Sequence, residues 1–81
     1  MKWTYQHPPL TVEVEFLDSR TRGSQLYGYL EAVVKSGDVN MLKATDPVSG
    51  VTLTDIEAKA VKWAKKLAAQ SILTGGDFTP D

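Results

Sequence analysis

The stretch from Thr54 to Ile72, TDIEAKAVKWAKKLAAQSI, constrains the fold more than any other part of the chain. It contains neither proline nor glycine, and alanine recurs five times, both of which favour helix. Thr54-Asp55-Ile56-Glu57 has the form of a capping box. In such a box the Thr54 hydroxyl accepts from the Glu57 N–H while the Glu57 carboxylate accepts from the Thr54 N–H. Asp55 and Glu57 also place negative charge in the first turn, where the helix dipole favours it. Gly75 and Gly76 supply residues able to take the left-handed conformation that ends many helices. A helix is expected over residues 54–73, followed by a short polar tail over residues 74–81 with Phe78 folding back on the core.

At 100° per residue, Ile56, Ala60, Trp63, Ala64 and Leu67 fall on one side, with Val61 and Ala68 at its edge. This apolar side is narrow and made of small residues around one large one, which suits a helix lying close against a sheet with Trp63 and Leu67 as anchors. If the Trp63 indole is fully buried, Trp63→Ala should cost about 3–5 kcal/mol. Lys59, Lys62, Lys65 and Lys66 occupy the opposite side. They form a stripe able to meet phosphates or an acidic partner. A solvated helix face is the commoner reason for such a stripe, with Asp55 pairing to Lys59 one turn on.

The 81 residues imply one domain with a modest core. Hydrophobic residues make up 42% and charged residues 23%, ordinary values that argue against disorder. The net charge of −1 weighs against a dedicated duplex binder, which is usually strongly basic, and equally against an acidic nucleic-acid mimic. With no cysteine there is no disulfide, thiol chemistry or thiolate metal site. The opening MKWTYQHPPL lacks the apolar core of a signal peptide. No apolar run approaches the roughly 20 residues that cross a bilayer, so a soluble, cytoplasmic protein with no membrane contact is expected.

Met1 to Pro9 reads as an extended arm, because Pro8-Pro9 forbids helix and pushes His7 toward extended backbone. Trp3 and Tyr5 alternate with polar neighbours, so the arm either adds an edge strand or presents its aromatics to a partner. Leu10 to Leu17 is the clearest strand: Leu10, Val12, Val14 and Phe16 turn one way while Glu13 and Glu15 face solvent. Asp18 to Ser24, DSRTRGS, reads as a loop made cationic by Arg20 and Arg22. Gln25 to Lys35 satisfies both a helical stripe and a strand. Gly28 disfavours a helix interior by roughly 1 kcal/mol, and Tyr-Gly-Tyr with Val-Val favours strand. Lys35-Ser36-Gly37-Asp38 has the form of a hairpin turn. Val39 to Thr45 gives the next strand, Asp46 to Gly50 a turn, and Val51 to Leu53 a short extended lead into the helix. The expected architecture is α+β, an antiparallel meander of three strands, or four with the arm, crossed by one C-terminal helix. The alternative, with Gln25 to Lys35 helical, is β-α-β-α.

Catalysis has little material here. His7 is the sole histidine, sits in a proline-bounded arm expected to be solvent-exposed, and has no partner nearby in sequence. There is no glycine-rich phosphate loop, no HExxH and no serine-centred glycine elbow. Glu13 and Glu15 share a strand face, but a cation would need further oxygen donors that sequence does not supply. Neither an enzyme, a cofactor nor a metal site is expected. Binding has more to offer. In the strand reading Tyr27 and Tyr29 project outward beside Lys35, a surface suited to a protein interface, where tyrosine is enriched at hot spots, or to stacked bases. Cross-strand tyrosine packing, contributing about 0.2–1 kcal/mol per pair, is the purely structural explanation.

Near-neutral charge favours protein as the partner. The expected function is a small non-enzymatic interaction module, such as an accessory protein or a phage-type inhibitor of a larger complex, whose partner is another protein or a second copy of itself. Its contacts would come from Tyr27 and Tyr29, from Arg20 and Arg22, or from Trp3 and Tyr5. The alternative is a nucleic-acid-binding domain using Lys59, Lys62 and Lys66 with the loop arginines. Sheet-plus-helix architecture alone decides between neither.

Overall fold

The alternation of apolar and polar residues through the first fifty positions becomes four antiparallel strands in the order β1-β2-β3-β4. They are β1 (Lys2–His7), β2 (Leu10–Arg22), β3 (Gln25–Ser36) and β4 (Val39–Gly50), followed by one helix, α1 (Leu53–Gly75). The structure, a computed structural model, describes residues 1–75; Gly76 and Phe78 lie outside the described residues. The fold is α+β, a four-stranded meander crossed by one helix. Gln25–Ser36 is a strand, so the β-α-β-α alternative does not apply.

The core lies between α1 and one face of the sheet. Leu10, Val12, Val14 and Phe16 of β2 and Leu30, Ala32 and Val34 of β3 are buried against Ile56, Ala60, Ala64, Leu67 and Ala68 of α1. Trp3 and Tyr5 of β1, Leu42, Ala44 and Val48 of β4, and Trp63 pack around them, partly buried. Because Trp63 keeps some exposure, its truncation should cost less than the about 3–5 kcal/mol of a fully buried aromatic. Val61, expected at the edge of the apolar side, is 43% exposed, whereas Ser71, about three turns further on, is 3% exposed. The buried stripe of α1 is therefore Ile56-Ala60-Ala64-Leu67-Ala68-Ser71. Small residues dominate it, and they let the helix backbone approach the sheet.

The arm becomes edge strand β1, paired from Lys2↔Glu15 to His7↔Leu10. Residues Pro8 and Pro9, joined by a cis peptide bond, make the turn. His7 consequently sits half-buried on the helix side of the sheet rather than in solvent. Two further expectations are corrected. Asp18–Arg22 is not a loop but the continuation of β2, and only Gly23-Ser24 turn, with Gly23 at φ 63°. Asp46–Gly50 is not a turn but the end of β4, paired against Leu26–Leu30. Local Asp-Pro and Ser-Gly preferences yield there to pairing with β3. Proline is tolerated because β4 is an edge strand, where the missing N–H can face the open side.

The helix also begins earlier than expected. Thr52, not Thr54, is its N-cap: Thr52 Oγ1 accepts from the Asp55 N–H at 3.2 Å. The Asp55 carboxylate in return accepts from the N–H groups of Thr52 at 3.2 Å and Val51 at 3.0 Å. Both threonines have an acid three residues on. The hairpin ends at Gly50, so Thr52 is the first of them that can satisfy the opening N–H groups, and Thr54 falls inside the first turn. With its carboxylate engaged in the cap, Asp55 does not pair with Lys59, whose Nζ donates instead to the Ser49 carbonyl.

Candidate functional site

Among the described residues, one face of the sheet carries no helix. Its side chains come from positions that alternate with the core: Glu13, Glu15 and Leu17 on β2, and Tyr27, Tyr29, Glu31, Val33 and Lys35 on β3. Across from them on β4 stand Lys43, Thr45, Pro47 and Ser49. Alternation alone would turn Arg20 and Arg22 toward the helix, since they share parity with the buried Phe16. A bulge prevents this. Pairing steps from Leu17↔Tyr29 to Arg20↔Tyr27, so β2 carries one more residue than β3 across that interval. Within it Asp18 adopts φ 54°, a left-handed conformation that aspartate tolerates better than most residues. The extra residue flips everything beyond it, and Arg20 and Arg22 join Tyr27 on the open face.

The result is a shallow groove of about 380 Å³ beside the β2–β3 turn, bounded by Asp18, Arg20, Tyr27, Tyr29, Pro47 and Ser49. Tyr27 is 40% and Tyr29 47% exposed. The two halves of the face differ in charge. Toward the β1–β2 turn, Glu13 meets both Lys2 (3.8 Å) and Lys35 (3.4 Å), and Glu31 lies 4.0 Å from Lys43. Such exposed pairs contribute about 0–1 kcal/mol each, but they leave that half internally compensated. Toward the β2–β3 turn, Arg20 and Arg22 form no salt bridge with any of the described residues.

The six residues expected to meet a partner are therefore divided. Tyr27, Tyr29, Arg20 and Arg22 are brought together, whereas Trp3 and Tyr5 face the opposite side and pack on the core. The Tyr5 hydroxyl is buried without a hydrogen-bond partner. Burial raises its pKa above the ordinary 10.0, and the negative charge of Glu57 adds to the rise. Lys35 shares the tyrosines' face but is occupied by Glu13. Among the described residues no three carboxylate or imidazole groups cluster as metal ligands. None of the described helix is long and apolar enough to cross a membrane.

Lys59, Lys62 and Lys66 are exposed on α1. Lys59 and Lys62 line a second groove of about 450 Å³, with Gln25, Ser49, Val51 and Ala58. Sequence reasoning missed Pro47 and Ser49, which read as turn residues, and Asp18, whose bulge has no local signature. Against known proteins, no family model, no curated protein and no solved structure matches the chain.

Proposed function

We propose that this chain is a non-enzymatic interaction module that binds a protein partner through the open sheet face beside the β2–β3 turn. The observation that carries this reading is the exposure of Tyr27 and Tyr29 next to Arg20 on a helix-free sheet. Tyrosine and arginine are the residue types most enriched at interface hot spots. Held on paired strands, they lose little conformational freedom on binding, so less of the contact energy is offset. Action by surface occupancy is how an accessory protein or a phage-type inhibitor of a larger complex works.

The test is capture from host lysate by immobilised protein, with and without nuclease, at two salt concentrations, beside a Tyr27→Ala/Tyr29→Ala variant. The expected result is a nuclease-resistant partner that the double variant fails to hold. Equal capture by both proteins would rule out this face. The second reading is a nucleic-acid binder, supported by Lys59 and Lys62 lining a groove beside the tyrosine face. It requires recovery that disappears with nuclease and falls steeply with salt, by a log–log slope of about −0.9 per duplex phosphate neutralised.

A further inference from the structure

Ser49 lines both grooves, one built on the open sheet face and the other drawing Lys59 and Lys62 from α1. Around that residue a path leads from Arg20, Tyr27 and Tyr29 on the open face, past the end of edge strand β4, to Lys59 and Lys62 on α1. The charges along it are unequal. Asp55 is committed to the helix cap, where its carboxylate accepts two backbone N–H groups. Among the described residues, Asp18 is then the one uncommitted carboxylate lining either groove, against Arg20, Lys59 and Lys62. Lys59 also donates to the Ser49 carbonyl, which holds its ammonium at the junction. By contrast, the lysines of the compensated half of the sheet have glutamates of their own.

We propose that the occupant of this path is an extended acidic peptide segment of the partner. It would set an apolar or aromatic side chain against Tyr27, Tyr29 and Pro47 and carry carboxylates to Arg20 and to Lys59 and Lys62. Charge complementarity supports this occupant. A few cations spaced among tyrosine, proline, valine and alanine suit a few carboxylates on a partly apolar chain. A polyanion would meet a protein of net charge −1, which provides no long-range attraction for it. The inference rests on the reading of the tyrosine face as protein-binding and adds the chemistry of what it binds.

The test is selection from a displayed library of random dodecapeptides against the full chain, followed by fluorescence anisotropy of the enriched peptides. Enrichment in Asp and Glu is expected. Arg20→Ala and Lys62→Ala should each weaken binding about tenfold, with circular dichroism unchanged because both side chains are exposed. Enriched peptides that are neutral or basic, or acidic ones indifferent to both substitutions, would overturn the inference. So would no enrichment at all, or a labelled oligothymidylate that binds more tightly and displaces the peptide. Neutral peptides lost in Tyr27→Ala/Tyr29→Ala would sink the acidic partner while leaving the protein-binding face standing. Peptides indifferent to the tyrosines as well would remove both.

Discussion

The ring of Phe16 lies directly against the backbone of Gly28. A Cβ added at position 28 would stand 2.5 Å from Phe16 Cε1 and 2.6 Å from the Leu17 carbonyl oxygen. Glycine is therefore required there by the approach of β2 and its ring, not by a turn. Gly28→Ala should destabilise the fold by about 1–3 kcal/mol, the range for overpacking a close-fitted core. Urea denaturation measures it. A Phe16→Leu/Gly28→Ala double variant should recover only part of the loss, because the Leu17 carbonyl is backbone and cannot be trimmed.

The start of α1 separates two candidate caps. Thr52→Ala removes the acceptor for the Asp55 N–H and should cost about 1 kcal/mol. Thr54→Ala, inside the first turn, should stay within about 0.5 kcal/mol of the wild type. Thermal denaturation of the two variants side by side decides the matter, and equal losses would contradict the observed cap.

Tyr5 has a hydroxyl buried without a partner and a raised pKa. Leaving a polar group unsatisfied is unfavourable, so Tyr5→Phe should raise stability at neutral pH by about 1 kcal/mol. Ser71→Ala should act in the same direction, since the Ser71 hydroxyl is buried and unpartnered too. The pH dependence of Tyr5 has a definite sign. Its phenol keeps its proton more firmly in the folded state than the ordinary 10.0 of the unfolded chain. The stability linked to that proton is complete below pH 10 and is lost as pH rises past 10.0 through the folded value. Denaturation midpoints measured from pH 8 to 11 should fall less steeply in Tyr5→Phe than in the wild type. Parallel declines would exclude the linkage.

The alternation from Leu10 to Phe16 and the two sides of α1 were legible because periodicity is a local property that burial then reads directly. The outward placement of Tyr27 and Tyr29 followed from the same period. Strand length was not legible. Asp46-Pro47 and Ser49-Gly50 favour a turn in isolation, and only the long partner β3 holds them extended. The cap was ambiguous for a related reason: Thr52 and Thr54 each precede an acid by three residues, and the end of β4 chooses between them. Hardest of all was the side of the sheet on which Arg20 and Arg22 lie. Parity argues for the helix side, and a single residue at Asp18 reverses it.

That reversal makes the bulge a determinant of the proposed interface. Asp18→Gly keeps the left-handed conformation without its steric penalty and should preserve both stability and partner capture. Asp18→Val places a β-branched residue at φ 54° and should lose about 1–2 kcal/mol. Deleting Asp18 is the sharper test, because it restores even pairing from Leu17 onward and still leaves Arg20 opposite Tyr27, with both arginines on the open face. Tyr27 and Tyr29 keep their places on β3, so an interface that needs only these four side chains on one face survives the deletion. Partner capture should therefore persist in a variant whose far-ultraviolet circular dichroism still reports a sheet and a helix. Loss of capture by a folded deletion variant would show that the face depends on the local shape of the bulge and not only on the side to which the arginines turn.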